Sequence, residues 1–213
     1  MVKRAFLALC LVSLLLVTAQ AHLRRNNRPD HRPEDKGYLL PAALVNELDQ
    51  WLARADFWRF VIRAENIRSR IEVNEIASRA VEAWLCGTNT ICITTGLKQR
   101  LTEAEYEAAL AHEIGHIIVP RNADGHPQLW ETQCDLLAVA LLRDADYVRD
   151  MLYTVNRACP NCRDEEHPAP YERIALLDYA AEATLEKVNR LDALRKGNFA
   201  LRLTEIATIT PRP

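Results

Sequence analysis

Apolar residues recur along the chain at two spacings, and the spacing changes in blocks. Over residues 39–68 they return every third or fourth position, with Leu44, Leu48, Trp51 and Leu52 on one face. This predicts helix, and Pro41 suits a first helical turn. Trp51, Phe57, Trp58 and Phe60 make this the most aromatic stretch, as suits a helix built into a core. Residues 71–76 alternate weakly, as a half-buried strand does, and residues 90–95 (TICITT) are a β-branched run between Gly87 and Gly96, a second strand. Thr102 followed by Glu105 is a capping box that predicts a helix over 103–119. Residues 120–127 read as loop, 129–143 as the next helix, 146–155 as a third, and 159–170, with three prolines, as irregular. Residues 172–196 predict a long helix with Ile174, Leu177, Ala181, Leu185 and Val188 on one side. The fold expected is α+β, predominantly helical, with a small sheet upstream of the helix that begins near Glu103.

The N-terminal residues depart from this pattern. Lys3-Arg4 is followed by an apolar run over 5–18 and by Ala19-Gln20-Ala21, the small-residue spacing of a cleavage site. The run is shorter than the roughly 20 residues a membrane-spanning helix needs, and Cys10 lies midway along it, not at its end where lipid attachment would require it. The expectation is a signal peptide over 1–21, cut after Ala21, and a periplasmic or secreted protein of 192 of the 213 residues, with no transmembrane segment in the mature chain. Residues 22–38, charged and carrying two prolines, read as a flexible leader, 39–198 as one domain, and 199–213 as a tail. The composition is 49% apolar, with 27 basic against 29 acidic residues, which excludes a disordered chain and a generic nucleic-acid binder. Without Lys3 and Arg4 the balance moves from −2 to −4, so the near-neutral average conceals an acidic mature chain.

The candidate chemistry lies at His112-Glu113-Ile114-Gly115-His116, an H-E-x-x-H motif late in the capped helix. Histidines four apart on a helix share a face and can turn a ring nitrogen toward one Zn²⁺, while Glu113, offset by one position, can reach a water on that ion and act as general base. Gly115 leaves room for another element beside the metal. A catalytic zinc takes three protein ligands and one open position. The third ligand has candidates in Asp124, His126, Glu131, Cys134, Asp135 and His167. Glu131 and Asp135 stand four apart at the start of a helix. If the loop folds back they face the metal helix together, Glu131 as ligand and Asp135 accepting an N–H from a ligand histidine.

The run from Leu101 to His116 (LTEAEYEAALAHEIGH) resembles the metal helix of the HtpX / CAAX prenyl endopeptidase family of gluzincins. Glu131-Thr132-Gln133-Cys134-Asp135 is similar to the family's E-x-x-A-D, with Cys134 in the alanine slot, and His167-Pro168, followed by Arg173, resembles its H-P-x-x-x-x-R element. Thr94-Thr95-Gly96-Leu97 looks like the strand and turn before the metal helix. The resemblance covers roughly residues 70–185 and implies a zincin-type metallopeptidase domain. It implies one zinc per chain on His112, His116 and Glu131, with Glu113 as base and His167 and Arg173 near the oxyanion. Arg173 also has a second reading, an ion pair with Asp135 or Glu172. Only fourteen residues separate His116 from Glu131, a short spacing that is also similar to the ImmA/IrrE-type metallopeptidases.

Of the five cysteines beyond the signal segment, Cys86, Cys92, Cys159 and Cys162 are expected to form disulfides, either Cys86–Cys92 with Cys159–Cys162 or crossed between the pairs. Cys134 is expected as a small buried thiol. The function expected is an exported zinc metalloendopeptidase whose polypeptide substrates lie against the strand at 90–95. The alternatives are a chaperone-like or assembly factor with a latent zinc site and a narrow regulatory metalloprotease.

Overall fold

The aromatic segment folds as two helices where the periodicity predicts one. In the computed structural model, which describes residues 40–54, 56–121, 126–159 and 169–196, α1 runs Ala42–Ala53 and α2 runs Asp56–Arg68. Arg54 adopts an extended conformation at ψ 144° and ends α1. The turn folds Phe57 edge-on against Trp51, centroids 5.4 Å apart, and stacks Phe60 on the same ring at 6.2 Å. Aromatic burial thus overrides a periodicity that reads through the break.

Three strands follow: β1 (Glu72–Ile76), β2 (Ala83–Leu85) and β3 (Thr90–Thr94). β3 is central, parallel to β1 and antiparallel to β2. β1 is exposed along its whole length and not half-buried as expected, because it is an edge strand whose ladder is to β3. The expectation that substrate lies against 90–95 needs correcting on the same ground. Both edges of β3 already carry a ladder, so its backbone has no row of groups left for a peptide. β2, three residues long, has no periodicity to announce it. The Cys86–Cys92 disulfide closes the β2–β3 hairpin with Cα atoms 5.7 Å apart.

Thr94 ends β3 as a buried joint. Its hydroxyl donates to Ala80 O at 2.6 Å and accepts from Leu97 N at 3.2 Å, capping the short helix α3 (Thr95–Lys98). Gly96 fits there because a Cβ would lie 2.3 Å from the Ala80 carbonyl oxygen.

Helix α4 (Glu103–Ile118) begins with the reciprocal capping box read from the sequence: Glu105 N–H donates to Thr102 Oγ1 at 3.3 Å and Thr102 N–H to Glu105 Oε2 at 2.7 Å. The same Glu105 accepts from the Thr154 hydroxyl on α6 at 2.7 Å, tying the start of α4 to a neighbouring helix. Helix α5 (Pro127–Leu142) opens with proline, whose missing N–H costs nothing at that position, two residues before the expected start. From Leu136 to Ala140 every residue is buried, so α5 runs through the middle of the core. Helix α6 (Ala145–Ala158) is capped by Asp144, and α7 (Pro170–Lys196) packs its Leu176, Leu177, Ala180 and Val188 on the bundle. The fold is the expected one, predominantly helical with a small mixed sheet. β2 is the strand that packs on α4.

The signal segment, the leader, the tail, Asp124, His167 and Cys162 lie outside the described residues. No helix among the described residues is long and apolar enough to cross a membrane.

Candidate metal centre

One turn of α4 places His112 and His116 on the same face, rings edge-to-face with Nε2 atoms 3.0 Å apart. Glu131, on the first turns of α5, brings Oε2 to 3.3 Å from His112 Nε2 and Oε1 to 3.5 Å from His116 Nε2. The donor atoms of His112, Glu113 and His116 also lie within 4.8 Å of one another. Ligands at zinc bond lengths on neighbouring corners of a tetrahedron stand about 3.3 Å apart. The three measured separations, 3.0, 3.3 and 3.5 Å, bracket that edge.

The burial of Glu131 makes the same point independently. Its side chain is sealed in the core, yet neither carboxylate oxygen accepts a hydrogen bond. Such a group costs roughly 1–3 kcal/mol, more when charged, unless a cation satisfies it. Charge balance agrees. Glu131 and Asp135 are buried against one guanidinium, Arg173, and Glu113 is buried as well, so the carboxyl groups outnumber that fixed cation. The donor set of two imidazoles and a carboxylate fits zinc.

Asp135 and Arg173 surround His112. Asp135 Oδ1 lies 2.8 Å from His112 Nδ1, so that nitrogen carries a proton toward the carboxylate, and Nε2 is the atom that faces Glu131 and would ligate a metal after losing its own proton. Arg173, the fourth residue of α7, grips Asp135 with Nε–Oδ2 at 2.9 Å and Nη2–Oδ1 at 2.6 Å, and sets Nη1 3.2 Å from Glu131 Oε2. His116 has different neighbours. Its Nδ1 faces Cys134 Sγ at 3.3 Å, and the Trp130 ring tilts over it at 4.3 Å while donating its indole N–H to Val119 O at 3.0 Å. Gly115 lets α5 come this close, since a Cβ there would sit 2.7 Å from Cys134 Cβ.

The protonation of the cluster follows from these contacts. Burial and Arg173 both push His112 toward neutrality, but Asp135 and Glu131 outweigh them and raise it to about 10. Burial and the charge on His112 lower His116 to about 3, because two imidazoles in contact do not both become cationic. Burial would raise Glu131 and Asp135, yet Arg173 and His112 hold both below the usual carboxylate range. Burial, with Glu131 and Asp135 adding to it, pushes the Cys134 thiol up.

The structure thus brings together His112, Glu113, His116, Glu131, Asp135 and Arg173. His126 stands exposed at the N-cap of α5. Of the disulfides left open by the sequence, Cys86–Cys92 is the pair formed, and Cys159 is also disulfide-bonded, with its partner outside the described residues. Sequence reasoning missed the contact of Trp130 and Cys134 with His116. The signal was their position beside Glu131, one residue before and three after.

A histidine pair, a glutamate and an adjacent carboxylate between two buried helices define the class of a zinc metalloprotease. Residues 50–121, which include the whole H-E-x-x-H helix, match Peptidase family M48, and the match together with the His112–Glu113–His116 cluster supports a zinc metallopeptidase of that family. Nothing matches the chain among the curated proteins or the solved structures.

Proposed function

We propose that the chain is an exported zinc metalloendopeptidase that hydrolyses peptide bonds in extended or misfolded polypeptides. The observation that carries this reading is Glu131, a buried carboxylate without a hydrogen bond, facing two histidine Nε2 atoms at 3.3 and 3.5 Å. In this reading His112, His116 and Glu131 hold one zinc ion, which supplies a polarised, acidified water and a Lewis acid for the scissile carbonyl. Glu113 takes the proton from the attacking water and delivers it to the departing amine, moving one proton through one carboxylate. Asp135 fixes the His112 tautomer, and Arg173 holds Asp135 and faces Glu131. Of the two roles expected for Arg173, this contact geometry supports the ion pair with Asp135.

The substrate would bind extended. β2 is the edge strand that packs on the metal helix, and its outer side is unpaired among the described residues. A peptide can add there as a further strand. His167 would stabilise the oxyanion, as the resemblance implies, and the signal segment would direct export.

The test compares the parent chain with Glu113→Gln on an unfolded protein such as casein, alongside metal analysis. The parent should cleave with one zinc per chain and stop on chelation. Glu113→Gln should keep its zinc and lose about 100-fold or more of the rate, as removal of a general base does. Undiminished cleavage by Glu113→Gln, or cleavage indifferent to chelator, refutes the reading.

A further inference from the structure

We propose that Cys134 is the positioning residue of His116, its sulfur accepting the His116 Nδ1–H and so holding Nε2 toward Glu131. The inference rests on the zinc-site reading and concerns a different atom of it. A histidine that ligates through Nε2 carries its proton on Nδ1, and that proton needs an acceptor if the ring is to keep one orientation. For His112 the acceptor is Asp135, at 2.8 Å. For His116, Nε2 is already the atom turned toward His112 and Glu131, and the partner described at Nδ1 is Cys134 Sγ, at 3.3 Å.

Three further observations converge on this atom. Cys134 is wholly buried and in the reduced state, so its sulfur is available as an acceptor. The helices meet closely where Gly115 lies against Cys134, so the missing Cβ of one residue delivers the sulfur of the other. The oxygens of Glu131, buried and accepting no hydrogen bond, face the same histidine pair, which marks an ion site independently of the cysteine. Trp130 completes the confinement by covering the ring face, pinned to the end of α4 through Val119.

The two ligand histidines are therefore held unequally, His112 by a carboxylate gripped by a guanidinium and His116 by a weakly accepting sulfur. Alanine, the residue that the resembled family has in this slot, would leave Nδ1–H facing a methyl group.

The experiment uses the full chain loaded with zinc. Two quantities are read: the zinc dissociation constant by chelator competition, and the His116 Nδ1–H proton by ¹⁵N-edited NMR of the imidazole rings. Cys134→Ala should weaken zinc about tenfold, the lower end for loss of a partner behind a ligand, and should lose the slowly exchanging Nδ1–H signal. Cys134→Ser, which restores an acceptor, should keep the signal and recover affinity to within about threefold of the parent. Parent-like affinity and an intact Nδ1–H signal in Cys134→Ala overturn the proposal. Should the alanine chain not fold, the serine chain decides: folded without the protected proton, it overturns the proposal equally. A parent chain that binds no zinc would instead refute the zinc site itself, so the two failures are distinguishable.

Discussion

Helix α5 carries an ion cluster at each end, and the two are built on opposite principles. At its C-terminal end Arg143 donates from Nη2 to Glu65 Oε1 at 2.8 Å and from Nε to Asp192 Oδ2 at 3.0 Å, while Arg195 donates to both oxygens of Glu65 at 3.1 and 2.7 Å. Glu65 and Asp192 are satisfied on both oxygens, and all four side chains keep between 26% and 38% of their surface in water. At the N-terminal half Asp135 is satisfied by Arg173, but Glu131, equally sealed, accepts no hydrogen bond and has the charge of Arg173 at 3.2 Å from Oε2. The first cluster ties helix ends together. The second leaves one of its two sealed carboxylates without a hydrogen bond, as a group placed to meet a cation would be.

Replacing Glu131 should separate the two most sharply. Glu131→Gln keeps the shape and removes the charge, so zinc affinity measured by chelator competition should fall by about 100-fold or more, and cleavage with it. In excess chelator, urea unfolding should find the variant within about 1 kcal/mol of the parent, since Arg173 keeps both bonds to Asp135 and the loss of its contact with Glu131 is offset by no longer burying that charge. A variant that keeps its zinc, or that loses several kcal/mol in chelator, would make the two ends of α5 alike.

Asp135→Asn should behave in the reverse sense. It removes the charge that Arg173 grips, and breaking a buried pair leaves an uncompensated cation at about 3–5 kcal/mol. Zinc should weaken by about 10–100-fold through the loosened His112 ring. Urea midpoints in chelator, set beside the Glu131→Gln values, give the check: Asp135 has to be the costlier loss for folding and Glu131 the costlier loss for metal.

What could be read from the sequence divides along similar lines. Thr102, Glu105 and the H-E-x-x-H spacing are local, so α4 and its two histidines are legible from the chain alone, as is the four-residue step from Glu131 to Asp135. The grip of Arg173 on Asp135 spans 38 residues and depends on where α7 crosses α5. The resemblance brought Arg173 to the site, and the residues themselves offered an ion pair among other partners. The sulfur beside His116 depends on a helix crossing that Gly115 permits but does not specify. β2 was invisible because three residues with an outward Trp84 carry no period, and the break at Arg54 because the apolar spacing runs unbroken across it. Local hydrogen-bond chemistry is written in the chain. Contacts made only by packing are not.

At the far end of α5 the expected effects are smaller. Arg143→Ala should cost about 1 kcal/mol, the scale of a partly exposed pair, and leave zinc affinity unchanged. Arg143 also holds a left-handed conformation, φ 60° and ψ 24°, in which a side chain is strained and glycine is not. Arg143→Gly should therefore lose less than Arg143→Ala, although both lose the same ion pairs. Equal melting losses in the two variants would mean that the backbone contributes nothing there.

The smallest effect is the pH dependence of this same cluster. Burial by itself would raise Glu65, but the guanidinium groups of Arg195 and Arg143 prevail and lower it below its ordinary 4.5. A carboxylate depressed in the folded state contributes stability that is fully present above its unfolded value and is lost as pH falls through the folded one. Asp192, lowered chiefly by its hydrogen bond to Arg143, follows the same sign, so acid stability of the parent alone would mix the two. The difference between parent and Glu65→Gln isolates one of them. That gap should be constant from pH 7 down to about 4.5 and close progressively in more acidic buffer. High salt should narrow it at neutral pH, because the pairs are partly exposed and screened. A gap indifferent to both acid and salt would mean that Glu65 acts through packing, and the contrast between the two ends of α5 would then rest on the metal site alone.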